Sequence, residues 1–113
     1  RRIFTVTPGD LVKNAVQSME KHGVSQLPVV SQGKSVGLIT EKLVLEGFTG
    51  HSGSDLGRLK VRELMEDALP TITENSPQTL VTGLLNHNSA VLVSRNGKIV
   101  GIISKSDLFK KLV

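Results

Sequence analysis

The strongest constraint on this chain is that most of it is written twice. Thr71-Ile72-Thr73 repeats Thr5-Val6-Thr7, and Ala90 to Val93 corresponds to Leu27 to Val30. Asn96-Gly97-Lys98 matches Gln32-Gly33-Lys34, and Ile99 to Ile103 matches Ser35 to Ile39. The second copy is two residues shorter, with the loss near Gly23-Val24. A period of about half the chain means one supersecondary unit used twice. A unit that small builds little core alone, so the two copies are expected to share one.

Within each copy the hydrophobic period changes from two to that of a helix and back. In the first, Thr5-Val6-Thr7 reads as a short strand, and Pro8-Gly9-Asp10 turns it into a helix with Asp10 as the cap. Leu11, Val12, Ala15, Val16 and Met19 form the apolar stripe of that helix, and Gly23 ends it. Leu27 to Val30 is a strand in which Pro28, lacking an N–H, predicts an edge or entry position. Ser31 to Lys34 is a turn, Val36 to Ile39 a strand, and Thr40 opens a helix to about Phe48. The small and polar run from Thr49 to Asp55 predicts a flexible connection, and Leu56 to Glu66 carries a short helical pattern. In the second copy Pro77 to His87 is the helix, with Leu80, Val81, Leu84 and Leu85 as its stripe. The unit is therefore β-α-β-β-α and the fold class α+β. The first repeat is expected over residues 1–48, a linker over 49–60 and the second repeat over 61–113.

Chemistry concentrates where the last strand of each unit meets its final helix. Gly101-Ile102-Ile103-Ser104-Lys105-Ser106-Asp107 ends a buried strand at a hydroxyl, with a carboxylate in the first helical turn. Ser104 suits the N-cap, and Asp107 sits where the helix dipole favours negative charge. Ser-x-x-Asp is also a capping box that needs no ligand, and the two roles are compatible. The earlier copy, Gly37-Leu38-Ile39-Thr40-Glu41-Lys42-Leu43, keeps the hydroxyl but has Leu43 in place of the carboxylate.

Composition excludes several functions. Tyr and Trp are absent and Phe occurs three times, so no aromatic platform for single-stranded nucleic acid can be built. There is no cysteine, and His22, His51 and His87 lie too far apart for metal-ligand spacing, so no metal is expected. His22 and His87 stand at matching helix ends, where they read as C-terminal capping partners. Asn96-Gly97 and Gln32-Gly33 are hairpin turns, not phosphate cradles. No nucleophile–base pair and no Walker-type loop is present, which argues against an enzyme. The net charge of +4 is spread along the chain and permits an anionic ligand without requiring one. No apolar run suggests a membrane span and no signal-peptide pattern opens the chain, so cytoplasm is the default. The start at Arg1-Arg2-Ile3, without Met, reads as a piece cut from a longer protein.

The phrases His22-Gly23-Val24-Ser25-Gln26-Leu27-Pro28-Val29-Val30, Gly33 to Thr40, Val61-Arg62-Glu63-Leu64-Met65 and Gly97 to Leu108, in their order and double occurrence, resemble the CBS-domain family. Repeats of that family occur in pairs called Bateman modules. The resemblance implies a pseudo-two-fold pair of repeats that binds adenosine-containing ligands, such as AMP, ADP, ATP or S-adenosylmethionine, between them. It also implies a homodimer through helices, and no catalysis or tightly bound cofactor in the module itself.

By that analogy the adenine slot lies between Thr71-Ile72 and Asn88-Ser89-Ala90-Val91, with Ile103 as its floor. Asp107 is placed to take the two ribose hydroxyls, while Ser104 and Lys105 serve a phosphate or carboxylate. A second, weaker site would use Thr5, Ser25, Gln26, Leu27, Pro28 and Thr40. The run Asp55 to Glu66 and the phrase Ser25 to Val29 are similar to archaeal transcriptional regulators with a helix-turn-helix domain. The regulatory part of a cystathionine β-synthase-like enzyme is the alternative attachment, and a ligand-free dimerisation module the alternative role. The fragment itself is expected neither to touch nucleic acid nor to enter a membrane.

Overall fold

A computed structural model describes residues 3–110 and 112. The outer ends of the two expected repeats, Arg1 and Val113, lie outside the described residues. The chain forms two compact units, Phe4–Ala68 and a second that takes in Leu69 onward together with Ile3.

In the first unit helix α1 spans Val12–His22, strand β1 Gln26–Ser31, strand β2 Lys34–Thr40 and helix α2 Glu41–Gly47. Helix α3, Gly53–Arg58, and a single 3₁₀ turn, Val61–Glu63, follow. In the second unit strand β3 spans Thr71–Thr73, helix α4 Gln78–Leu85, strand β4 Ala90–Arg95, strand β5 Lys98–Ser104 and helix α5 Lys105–Lys110. The mixed α+β class read from the periodicity is present in both.

The hairpins are built alike. β1 and β2 pair antiparallel from Gln26↔Thr40 to Ser31↔Lys34, with a register shift between Val29 and Val30. β4 and β5 pair from Ala90↔Ser104 to Arg95↔Lys98, with the shift at the corresponding place, between Val93 and Ser94. Gln32 and Gly33 have φ of 52° and 79°, and Asn96 and Gly97 have the same two values. Positive φ at both central residues is the type I′ turn, whose twist matches that of the flanking strands.

Several segments differ from the sequence reading. Thr5-Val6-Thr7, expected as a strand, makes only the single bridge Val6↔Val29. Asp10 does not cap α1: the N-cap is Leu11, which has no capping side chain, and the Val12 N–H donates instead to the Leu59 carbonyl at 2.8 Å. The Asp10 carboxylate accepts from the Thr7 N–H at 2.8 Å and so closes the turn before the helix. The run expected to be a flexible connection holds α3, capped by Ser52, whose Oγ accepts from the Asp55 N–H at 3.2 Å. Leu56 of α3 is buried and packs over Gly47, where a Cβ would stand 2.6 Å from Leu56 Cδ1. The helical pattern expected from Leu56 to Glu66 is broken by extended backbone at Leu59 and Lys60. Lys60 bridges to Leu11 there. Residues 61–68, expected at the head of the second repeat, go with the first unit in space. Leu38 and Glu66 exchange both backbone hydrogen bonds, at 3.0 and 2.9 Å, which closes the outer edge of β2.

The core of the first unit gathers Val6, Val12, Ala15, Met19, Leu27, Val29, Ile39, Val44, Leu56 and Val61. Phe4 extends it by stacking on the His22 ring, with centroids 3.6 Å apart. The second unit has a cluster of Ile72, Val81, Leu85 and Val91, against which Ile103 and Leu108 pack. Leu80, read as part of the apolar stripe of α4, is exposed.

Candidate functional site

The antiparallel register decides what meets at the end of each hairpin. Because Ala90 pairs with Ser104, the entry of β4 and the exit of β5 lie side by side, and α5 starts at that point. The Ser104 N–H donates to Asp107 Oδ2 at 2.8 Å, and the Ser104 hydroxyl donates to the same oxygen at 3.1 Å. Ser104 Oγ also lies 2.9 Å from Ser106 Oγ. Half of the capping box is present: the Asp107 carboxylate reaches back to the Ser104 N–H and fixes the strand-to-helix corner, while the Ser104 hydroxyl donates to that carboxylate. Asp107 is half-buried and Lys105 exposed.

The remaining residues named for this site fall into two groups. Thr71 and Ser89 are exposed near the hairpin end. Asn88 donates from Nδ2 to the Leu84 carbonyl at 2.9 Å, which also accepts from the His87 N–H at 3.2 Å, at the end of α4. Ile72, Val91 and Ile103 turn into the cluster with Val81 and Leu85, and Ala90 is fully buried. Residues so placed offer a ligand their backbone groups or the rim of their side chains.

The first unit repeats the geometry with different chemistry. Gln26 pairs with Thr40, and the Glu41 N–H donates to the Ser25 carbonyl at 2.9 Å. Thr40 Oγ1 accepts from the Leu43 N–H at 3.1 Å, a hydroxyl cap with no carboxylate in the Asp107 place. The Glu41 side chain is exposed. Leu27 and Pro28 are fully buried, and Thr5 is exposed one residue before the bridge that Val6 makes to Val29.

Two open depressions in the first unit were not foreseen from the sequence. One, of about 390 Å³, lies between the end of α1 and the start of α2, with Met19, Val24 and Val44 below and Glu20, Ser25 and Glu41 around it. The other, of about 290 Å³, lies between α1 and α3 beside Phe48 and Leu56. The second depends on α3, which the polar run Thr49 to Asp55 concealed.

Arg95 donates to Glu74 through Nε at 2.9 Å, with Nη2 at 2.8 Å from the same oxygen. This hydrogen bond, and the charge behind it, raise the guanidinium pKa above its ordinary value. His22 Nδ1 lies 3.0 Å from the Ser18 carbonyl, and His51 Nδ1 lies 3.1 Å from that of Gly47, so both rings serve helix ends. No group of acidic, His or Cys side chains among the described residues is arranged to hold a metal ion. No helix among them is long and apolar enough to cross a membrane.

Comparison with known proteins agrees with this double geometry. The family profile of the CBS domain matches residues 1–50 and 61–113. An inosine-5'-monophosphate dehydrogenase from Korarchaeum cryptofilum is 31% identical over 96% of this chain, which spans 22% of that enzyme. A cystathionine beta-synthase from Dictyostelium discoideum is 26% identical over 97% of this chain, which spans 23% of it. The CBS domain of a CBS-domain-containing membrane protein from Sphaerobacter thermophilus superposes with a TM-score of 0.79 at 25% identity, over 100% of this chain and 83% of that one. With both copies matched, each strand-to-helix corner in place and the fold shared, this chain belongs to the CBS-domain family.

Proposed function

We propose that the chain is a regulatory, ligand-sensing module that binds an adenosine-containing ligand of the AMP, ADP, ATP or S-adenosylmethionine type. The observation that carries this is the second-repeat corner. Asp107 Oδ2 is committed to Ser104, which holds the whole carboxylate in one orientation at the end of β5. A carboxylate so fixed can accept from a ribose diol with little loss of side-chain freedom. Ser104 and Lys105 stand beside it for an anionic group, and Thr71, Asn88, Ser89 and the β4 backbone surround the purine. The first repeat, with Leu43 in the Asp107 place, is the weaker site.

The module controls an attached effector domain, for which a DNA-binding transcriptional regulator is our reading. The similarity to cystathionine beta-synthase supports the alternative, the regulatory part of an enzyme. We place it in the cytoplasm as a non-catalytic homodimer formed through helices. Exposed Leu45 and Phe48, 60% and 55% accessible, support the helical contact. They also favour the second reading, a dimerisation module without a ligand.

Calorimetric titration with AMP, ATP and S-adenosylmethionine tests the proposal. Saturable binding of one ligand by the native chain is expected, lost in Asp107→Ala and weakened in Asp107→Asn, which keeps an acceptor for the helix cap. Absence of binding by all three at millimolar concentration overturns the sensing role and leaves the dimerisation module, which light scattering would then have to show as a dimer.

A further inference from the structure

The chain contains five asparagines, Asn14, Asn75, Asn86, Asn88 and Asn96. An asparagine is chemically labile where the peptide nitrogen of the next residue can reach its side-chain carbonyl carbon. At four of the five, hydrogen bonds oppose that approach. The nitrogen after Asn14 donates to the Leu11 carbonyl at 3.2 Å, that after Asn75 to the Thr73 carbonyl at 3.1 Å, and that after Asn86 to the Leu84 carbonyl at 3.2 Å. At Asn88 the side-chain amide itself is held, by the Leu84 carbonyl at 2.9 Å.

Asn96 is different in every respect. It and Gly97 form the exposed tip of the β4–β5 hairpin. Among the described residues neither the Asn96 amide nor the Gly97 N–H has a hydrogen-bond partner. Gly97 has no side chain to crowd its nitrogen, and nothing lies within 4 Å of the place where a Cβ would stand. The type I′ turn that makes Asn-Gly the favoured pair for folding also puts a free peptide nitrogen beside an unheld amide.

We propose that Asn96-Gly97 is a site of spontaneous covalent modification, deamidation through a cyclic imide, with water as the co-reactant. The Gly97 nitrogen, deprotonated by hydroxide, attacks Asn96 Cγ. The N–Cγ bond forms, the Cγ–Nδ2 bond breaks, and ammonia leaves with a proton taken from water. A water molecule then opens the imide at either carbonyl. One opening gives aspartate, the other isoaspartate with the main chain running through the former side chain. No electrons are exchanged. The turn has to relax from the left-handed conformation for the attack, so opening of the Arg95↔Lys98 end pair gates the rate. The product carries a negative charge between Arg95 and Lys98, and the isoaspartate form adds a methylene to a two-residue turn that has no room for it.

The other hairpin supplies the control. Gln32-Gly33 has the same backbone angles, but its side chain is one methylene longer and must close a larger ring. The whole chain is incubated at mildly alkaline pH and physiological temperature, with circular dichroism verifying that it stays folded. Peptide mapping by mass spectrometry then follows each asparagine, with fragmentation that separates aspartate from isoaspartate. Asn96 is expected to convert first, at a rate that rises with hydroxide concentration. Asn96→Gln is expected to abolish the signal, and Gln32→Asn to install a second labile site at the first hairpin. Conversion that starts at any of the other four asparagines overturns the proposal. So does a Gln32→Asn chain that stays intact at that position while Asn96 reacts, because an Asn-Gly pair at an exposed two-residue hairpin tip would then not be enough for the chemistry.

Discussion

Set side by side, the two repeats use one backbone plan with different reinforcement. In the second, β3 pairs with β4 over three residues, Thr71↔Leu92, Ile72↔Val93 and Thr73↔Ser94. In the first, the matching Thr5–Thr7 segment makes a single bridge, Val6↔Val29. Two prolines account for the difference. The hairpin register, with Gln26↔Thr40 in the place of Ala90↔Ser104, sets Pro28 where the second repeat has Leu92, one residue off the match of Leu27–Val30 to Ala90–Val93 read from the sequence. The Leu92 N–H donates to the Pro70 carbonyl at 2.8 Å, whereas Pro28 has no N–H to give Phe4. On the other side of Val6, the place of Glu74 is taken by Pro8, which likewise cannot donate to β1. The ladder stops after one rung in each direction. Where the first repeat has Pro8, the second has Glu74 in an ion pair with Arg95. The strand-to-helix corners differ in the same spirit: Thr40 caps α2 by its hydroxyl alone, whereas Ser104 and Asp107 brace α5 with two bonds to one carboxylate oxygen. A repeat can lose ladder rungs and a carboxylate and still keep its fold, because the paired hairpin and the buried side chains carry most of the stability.

That account predicts a ranking. The largest effect is expected for Leu27→Ala, a fully buried side chain in the first core, at about 2–5 kcal/mol by urea unfolding. A loss well under 1 kcal/mol would show that the hairpin core is not what holds this repeat. Next comes Gly37→Ala. A Cβ there would stand 2.5 Å from Met65 Sδ and 3.1 Å from the Glu66 carbonyl, so the 61–68 segment must lift from β2. The expected cost is about 1–3 kcal/mol, and hydrogen exchange at Glu66 should accelerate with it.

Smaller still are the caps. Thr40→Ala is expected to cost about 1 kcal/mol. Asp107→Ala should cost somewhat more, since a charge-assisted acceptor is removed. Equal losses would erase the distinction drawn between the two corners. The smallest change in stability is expected for Pro28→Val, which restores a donor toward Phe4. A net hydrogen bond of about 1 kcal/mol is nearly offset by the greater freedom of the unfolded chain. The readout is a newly protected amide at position 28. Its absence would mean that proline is not what limits the ladder.

Much of this was legible in the chain itself. Asn96-Gly97 and Gln32-Gly33 announced two-residue turns, and both are type I′. Gly23 ends α1 in the left-handed conformation, as its lack of a Cβ suggested. Thr40 caps α2, and the Asp107 carboxylate reaches back to Ser104 at the start of α5, both legible because these bonds join residues three apart. What concerned longer reach was hidden. Asp10 looked like a cap, but the carbonyl that serves the α1 terminus comes from Leu59, far along the chain. Leu56 was visible as an apolar residue, yet only the packing over Gly47 turns Gly53–Arg58 into an ordered helix. Ile72, Val91 and Ile103 were placed around a slot by analogy, and their burial beside Val81 and Leu85 follows from register and pleat.

The sequence by itself determined the duplication, the two hairpins with their turns, and the Thr40 cap, since turns and caps depend on side chains and dihedral preferences within one turn of the residue concerned. The tertiary structure decided which open backbone edge each remote segment closes. Residues 61–68 lie along β2 because Leu38 had an unpaired N–H and carbonyl to satisfy, and no local pattern records which distant strand leaves such groups exposed.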